Sequence, residues 1–196
     1  MAELTALNDA LSKSKKQLAD AKAELEKRSA ELEKKSAEYE GLAQSLKSEI
    51  EAGKIELSEL KGKMTVKLKD KILFASGSAT IGVEGKEALQ KVADAFKALK
   101  GKIVRVEGHT DSDPTGKGSA FPTNWELSSA RALAVVKFLQ DQGVDPTLLS
   151  AAGYGPYQPV APNDSPENKS LNRRIEIVLA AAEGAPAPAP APAASK

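Results

Sequence analysis

The side chains best suited to chemistry gather in VEGHTDSDPTGKGSAFPTNWELSSARA, positions 106–132. This stretch holds the only histidine, His109, and the only tryptophan, Trp125, together with Asp111 and Arg131. Hydrolysis would require His109 to activate a serine. No G-x-S-x-G elbow is present, and the chain has no cysteine to act as the nucleophile instead. A zinc centre would need more nitrogen or sulfur ligands than one histidine provides. ASGSATIG (75–82) is small and turn-like but matches neither a phosphate loop nor a dinucleotide fingerprint. Alternation along a strand sends His109 and Asp111 to the same side, and His109 is read as a structural hydrogen-bonding residue. No catalytic residue, metal ligand or cofactor site is assigned.

Charge recognition is better supported. Leu127 and Arg131 are one helical turn apart and share a face. With Leu127 inward, Arg131 faces the sheet, and a buried arginine needs an anionic partner. Asp111, at the end of the preceding strand, is the nearest candidate. One outcome is a structural Asp111–Arg131 ion pair. The other is a clamp: Asp111 takes a ligand ammonium, while Arg131 and the free N–H groups of the helix start take its carboxylate. Thr123 and Glu126 have the T-x-x-E spacing of a capping box there, with Asn124 as a competing cap.

These residues must be positioned by regular elements. MTVKLKDKILF (64–74) sets Met64, Val66 and Leu68 against Lys67 and Lys69, predicting a strand or hairpin that ends near Phe74. EGKEALQKVADAFKALKG (84–101) carries Leu89, Val92, Ala93, Phe96 and Leu99 at helical spacing and stops at Gly101. KIVRVEGHT (102–110) reads as a strand, NWELSSARALAVVKFLQDQG (124–143) as a helix, and LLSAAGYG (148–155) and NRRIEIVLA (172–180) as strands. The order βαβαββ predicts an α+β fold: a mixed sheet with helices on one face.

Two flanking segments have a different character. In residues 1–62, leucine or a substitute recurs every seven positions: Leu4, Leu11, Leu18, Leu25, Leu32, Tyr39, Leu46 and, after Gly53, Leu60. That spacing predicts a long helix with one seam. The second seam position is polar at Asn8, Lys15, Lys22, Ser29 and Ser36, improving at Ala43, Ile50 and Leu57, so weak homodimerisation is expected. Residues 182–196 are largely alternating Ala-Pro and read as a disordered tail. The globular part is therefore placed at 63–181.

The totals exclude other classes. Lys plus Arg number 28 and Asp plus Glu 27, a net charge of +1, which gives no global attraction to nucleic acid. Aromatics at 4% are too few for base-stacking platforms. No apolar run approaches the ~20 residues of a membrane span, and the N-terminus lacks the apolar region of a signal peptide.

LFASGSATI (73–81), VEGHTDS (106–112), NWELSSARALAVVKFL (124–139), LLSAAGYGPYQPVAPNDS (148–165) and NRRIEIVL (172–179) together resemble the OmpA-like peptidoglycan-binding domain, in wording closest to the MotB C-terminal version. The resemblance implies non-covalent, non-catalytic binding of bacterial peptidoglycan at a diaminopimelate-containing stem peptide. It carries the ligand contacts onto Asp111 and Arg131, with Thr110 and Asn124 shaping the pocket and Arg173 and Arg174 at the N-R-R strand start. Gly77 could contribute only backbone. The 112–122 loop is longer than in compact members and could reshape the glycan-facing edge. The resemblance also implies a periplasmic, wall-associated protein, with an export or lipid-anchor segment upstream. The competing expectation is a coiled-coil envelope scaffold that uses the domain for protein contacts.

Overall fold

A computed structural model describes residues 2–60, 63–97 and 102–181. The Ala-Pro stretch and Gly101 lie outside these residues. The chain divides into two compact units, Met1–Gly41 and Leu42–Lys196.

The first unit is helical, formed by α1 (Ala2–Ser45). Leu11, Leu18, Leu25 and Leu32 are all exposed. Lys22–Glu26 and Glu24–Arg28 pairs at i,i+4 spacing support the helix along its solvated surface.

The long helix does not reach residue 62. It ends at Ser45 and is followed by a short α2 (Lys47–Glu51) and a strand, β1 (Ile55–Leu60). Gly53 adopts φ +67°, a left-handed conformation that ends a helix. IELSEL then pairs antiparallel with β2 (Lys63–Lys69), Ile55 opposite Leu68 and Leu57 opposite Val66. Leu57 fits both a heptad and a two-residue alternation, and the partner strand decides between them. Leu42 and Leu46, read above as part of the rod, are buried in the second unit. That unit therefore begins some 20 residues earlier than expected, at Leu42 rather than 63.

The sheet has strand order β1-β2-β5-β3-β4, with β3 (Lys102–His109), β4 (Leu149–Gly153) and β5 (Arg174–Ala181). All neighbours are antiparallel except β3 and β4, which are parallel. The expected mixed α+β architecture is therefore observed. Met64, Val66, Leu68, Val104, Val106, Ile175, Ile177 and Leu179 form the buried face. Their apolar partners lie on α4 (Val83–Lys97: Leu89, Val92, Phe96) and α5 (Asn124–Asp141: Leu127, Val135, Leu139). Burying a large aliphatic side chain contributes roughly 1.5–3 kcal/mol, so this layer supplies the main stabilisation.

Two turns of helix escaped the sequence reading. The strand expected to end near Phe74 is β2, which stops at Lys69; Asp70–Leu73 forms α3, and Phe74 makes an isolated bridge with Ile81. Pro166–Asn172 forms α6, capped by the Ser165 hydroxyl.

Two glycines set the height of α5 above the sheet. A Cβ on Gly108 would lie 2.2 Å from the Ser128 carbonyl oxygen, and one on Gly153 would lie 2.2 Å from Ser129 Oγ and 2.6 Å from its backbone nitrogen. Their bareness lets the first turns of α5 rest on β3 and β4. That contact brings Asn124, Leu127 and Arg131 beside the end of β3.

Candidate functional site

A cavity of about 480 Å³ opens where β2, β3 and β5 meet α3 and α5, and its lining includes Asp70, Phe74, Thr110, Asp111, Asn124 and Arg131 with Arg173. Gly77, at φ +68°, and Pro114, Thr115 and Gly116 of the 112–122 loop complete the rim. The loop thus shapes the cavity directly.

Asp111 and Arg131 share this cavity, but they are not each other's ion-pair partner. Asp111 Oδ2 accepts a hydrogen bond from Arg173 Nη1, and Oδ1 accepts the Asp113 backbone N–H at 3.1 Å. Arg131 Nη1 lies 2.9 Å from Asp70 Oδ1. Its Nε donates to the Ser78 carbonyl at 2.8 Å, and its guanidinium lies over the Phe74 ring, 5.1 Å from the centroid. The inward face shared with Leu127 is as expected, since Arg131 is only 3% exposed. The partner differs because the residue just before β5 presents Arg173 to Asp111, while the start of α3, directly after β2, presents Asp70 to Arg131. Asp70 was missed. Its one signal was an acid at the end of an alternating strand, KLKD, where a chain usually leaves the core.

Burial raises the Asp70 pKa to about 6, against the opposing pull of the nearby Arg131 and Arg173. Three carboxylates (Asp70, Asp111 and Asp113) and two guanidinium groups (Arg131 and Arg173), together with Lys71, line one cavity.

Thr110 and Asn124 hold the frame. The Thr110 hydroxyl donates to the Asp111 carbonyl at 2.9 Å, and its N–H donates to the Gly155 carbonyl at 3.0 Å. Asn124 Nδ2 donates to the Asp113 carbonyl at 2.8 Å. Asn124 is not the cap: Thr123 is, in the capping box with Glu126.

Arg174 does not belong to the site. Register alternation turns it away from Arg173, and its Nε pairs with Glu176 at 2.6 Å while Nη2 donates to the Gln158 carbonyl. His109 is on that same other face, not with Asp111, because β3 ends at His109 and its alternation no longer governs Asp111. The imidazole stacks on Tyr154, centroids 5.2 Å apart. Neither ring nitrogen has a hydrogen-bond partner among the described residues, which corrects the hydrogen-bonding role expected for it. Burial, and then the Arg174 charge, lowers its pKa to about 4. The side-chain ligand atoms of Glu107, His109 and Glu176 lie within 4.8 Å of one another, but Arg105 and Arg174 already serve as counter-ions to the two carboxylates.

The cavity lining holds no imidazole or thiol among its residues. What it offers is paired charge of both signs around one cavity. Fold and site together define an α+β domain with a charged cavity beside α5.

The OmpA family profile matches residues 73–173, more than half of the chain, and the chain belongs to the OmpA family. Motility protein B of Bacillus subtilis is 35% identical over 146 residues, 69% of this chain and 55% of that protein. The chain thus spans about half the length of this curated relative. A MotB-like protein from Desulfovibrio vulgaris superposes with a TM-score of 0.71 at 28% identity, covering 75% of this chain and 91% of that one. The cell wall anchor of the type VI secretion system from Pseudomonas aeruginosa superposes at 0.66 with 35% identity, covering 71% and 96%.

Proposed function

We propose that this chain binds bacterial peptidoglycan non-covalently, through the cavity between α3, α5 and the ends of β3 and β5, and so ties an envelope component to the cell wall. The ligand group is the zwitterionic head of a diaminopimelate-containing stem peptide. Asp111 receives its ammonium, and Arg131 and Arg173 receive its carboxylate. Thr110 and Asn124 hold the loop in place for that contact. The observation that carries this reading is the set Asp70, Asp111, Arg131 and Arg173 around one cavity. A zwitterion adds no net charge to these four groups, whereas a simple cation or anion would.

OmpA family membership and the likeness to a cell wall anchor support the choice of ligand. The binding is not catalytic, since the cavity has no nucleophile with a base beside it. Peptidoglycan places the domain on the periplasmic side. No helix among the described residues is long and apolar enough to cross a membrane. The exposed leucines of α1 associate weakly with a second copy, because Lys15 and Lys22 interrupt the seam.

The test is sedimentation with insoluble peptidoglycan. Wild type should pellet with it, and Asp111→Asn should remain largely in the supernatant with an unchanged melting curve. Equal pelleting of both would remove the site from the reading. Release of soluble muropeptides by the pure protein would overturn the non-catalytic part.

A further inference from the structure

We propose that Asp70 is the counter-ion a ligand carboxylate must displace from Arg131, so that the anion and a proton enter the site together. This rests on the cavity being the peptidoglycan site.

The geometry makes Asp70, rather than Arg131, the exchangeable member. Arg131 is fixed by Ser78, by the Ala75 carbonyl and by the Phe74 ring. Asp70 Oδ1 approaches Arg131 Nη1 at 2.9 Å but off the N–H direction, and has no hydrogen-bond partner among the described residues. The pair is held by charge without a directed bond. Both groups line the cavity, with side chains only 9% and 3% exposed. A ligand carboxylate on Arg131 would place two anions against one guanidinium in a poorly solvated space. Carboxylates in that situation do not both stay ionised. Protonation of Asp70 resolves the conflict.

The charges that face Asp70 are few. α5 presents Arg131, the segment after β3 presents Asp111 and Asp113, the residue before β5 presents Arg173, and α3 itself carries Lys71. α6 adds Lys169, which is occupied by Asp113 at 2.7 Å. Arg131 and Arg173 favour ionised Asp70, but burial, reinforced by Asp111, outweighs them and puts the pKa at about 6. The proton is therefore available near neutral pH. His109 titrates at about 4 and is on the other sheet face, so it does not confuse the reading.

Affinity for a carboxylate should rise as pH falls toward 6, by at most about tenfold per pH unit for one linked proton. A ligand ammonium seated on Asp70 would give the opposite slope.

The experiment is calorimetric titration of the full chain with a diaminopimelate-containing stem peptide at pH 5.5, 6.5 and 7.5. Buffers of different ionisation enthalpy report the protons exchanged. Wild type should take up protons on binding at pH 6.5 and bind more tightly at 5.5 than at 7.5. Asp70→Asn should bind at pH 7.5 at least as tightly as wild type does at 5.5, with no linked proton. A merely structural Asp70 predicts weaker binding for this variant and no proton uptake in wild type; either result overturns the proposal. Should the variant fail to fold, the wild-type proton count alone decides. Binding that is independent of pH but lost in Asp111→Asn refutes the role of Asp70 and leaves the site standing. No binding at any pH removes both.

Discussion

Asp70→Asn should stabilise the protein at neutral pH, although it removes one half of a buried ion pair. The reasoning starts from the pKa of Asp70, raised from 3.8 to about 6 because burial outweighs the attraction of Arg131. Between those two values the folded chain holds a proton that the unfolded chain has released. Ionisation of Asp70 therefore costs stability, beginning as pH rises above about 4 and complete above about 6. At 1.36 kcal/mol per pH unit, the gap amounts to about 3 kcal/mol. Asparagine keeps the shape and cannot ionise, while Arg131 retains the Ser78 and Ala75 carbonyls. Urea denaturation of the full chain across pH 4–8 measures the effect. The variant should be more stable by up to about 3 kcal/mol at pH 7.5, with the difference closing toward pH 4. Arg131→Met should act in the other direction, losing about 3–5 kcal/mol because it strands a buried carboxylate. A destabilised Asp70→Asn at pH 7.5, or a difference that does not narrow in acid, would show that the attraction of Arg131 outweighs the cost of burial.

His109 should give the opposite pH slope. Its pKa is depressed from 6.5 to about 4, so its stability contribution is present above 6.5 and lost as pH falls to 4, a change of about 3 kcal/mol that His109→Gln should abolish in the same titrations. Gly153→Ala should cost about 1–3 kcal/mol and weaken peptidoglycan pelleting, because its Cβ would strike Ser129 and lift α5. Gly116→Ala, with open space around it, should change thermal stability by less than about 0.5 kcal/mol. A fragment of residues 42–181 should melt cooperatively and pellet with peptidoglycan. One of 63–181 should melt at lower temperature, having lost β1 and the buried Leu42 and Leu46. Sedimentation equilibrium of residues 1–41 should find monomer at low micromolar concentration; a tight dimer would show that Lys15 and Lys22 do not weaken the seam.

Much of the sheet was legible because its strands alternate cleanly. Val104 and Val106, or Ile175, Ile177 and Leu179, admit one face and one register. β1 was not legible, since Leu57 also continues the heptad, and only pairing with Val66 settles the matter. The capping box at Thr123 is local chemistry, so its spacing sufficed. The site was legible in part. Helical geometry turned Arg131 inward and correctly demanded an acid. Choosing that acid required knowing which strand ends meet, and nothing between residues 70 and 131 in sequence encodes it. The N-R-R start likewise left open which of Arg173 and Arg174 faces the pocket: adjacent strand residues face opposite ways, and only the register decides. His109 was put with Asp111 by extending alternation past the end of β3.

The central claim is that a zwitterionic stem-peptide head enters the cavity between the two ion pairs. Arginine Nε–H resonances of the 15N-labelled full chain report it directly during titration with a diaminopimelate-containing stem peptide. The Arg131 and Arg173 signals should shift together and saturably, and those of Arg105 and Arg174 on the other sheet face should stay still. Asp111→Asn should weaken the titration about tenfold or more, as expected for one charge-assisted hydrogen bond of roughly 1.5–3 kcal/mol. Saturable shifts confined to Arg105 and Arg174, with Arg131 and Arg173 unmoved, would contradict the account.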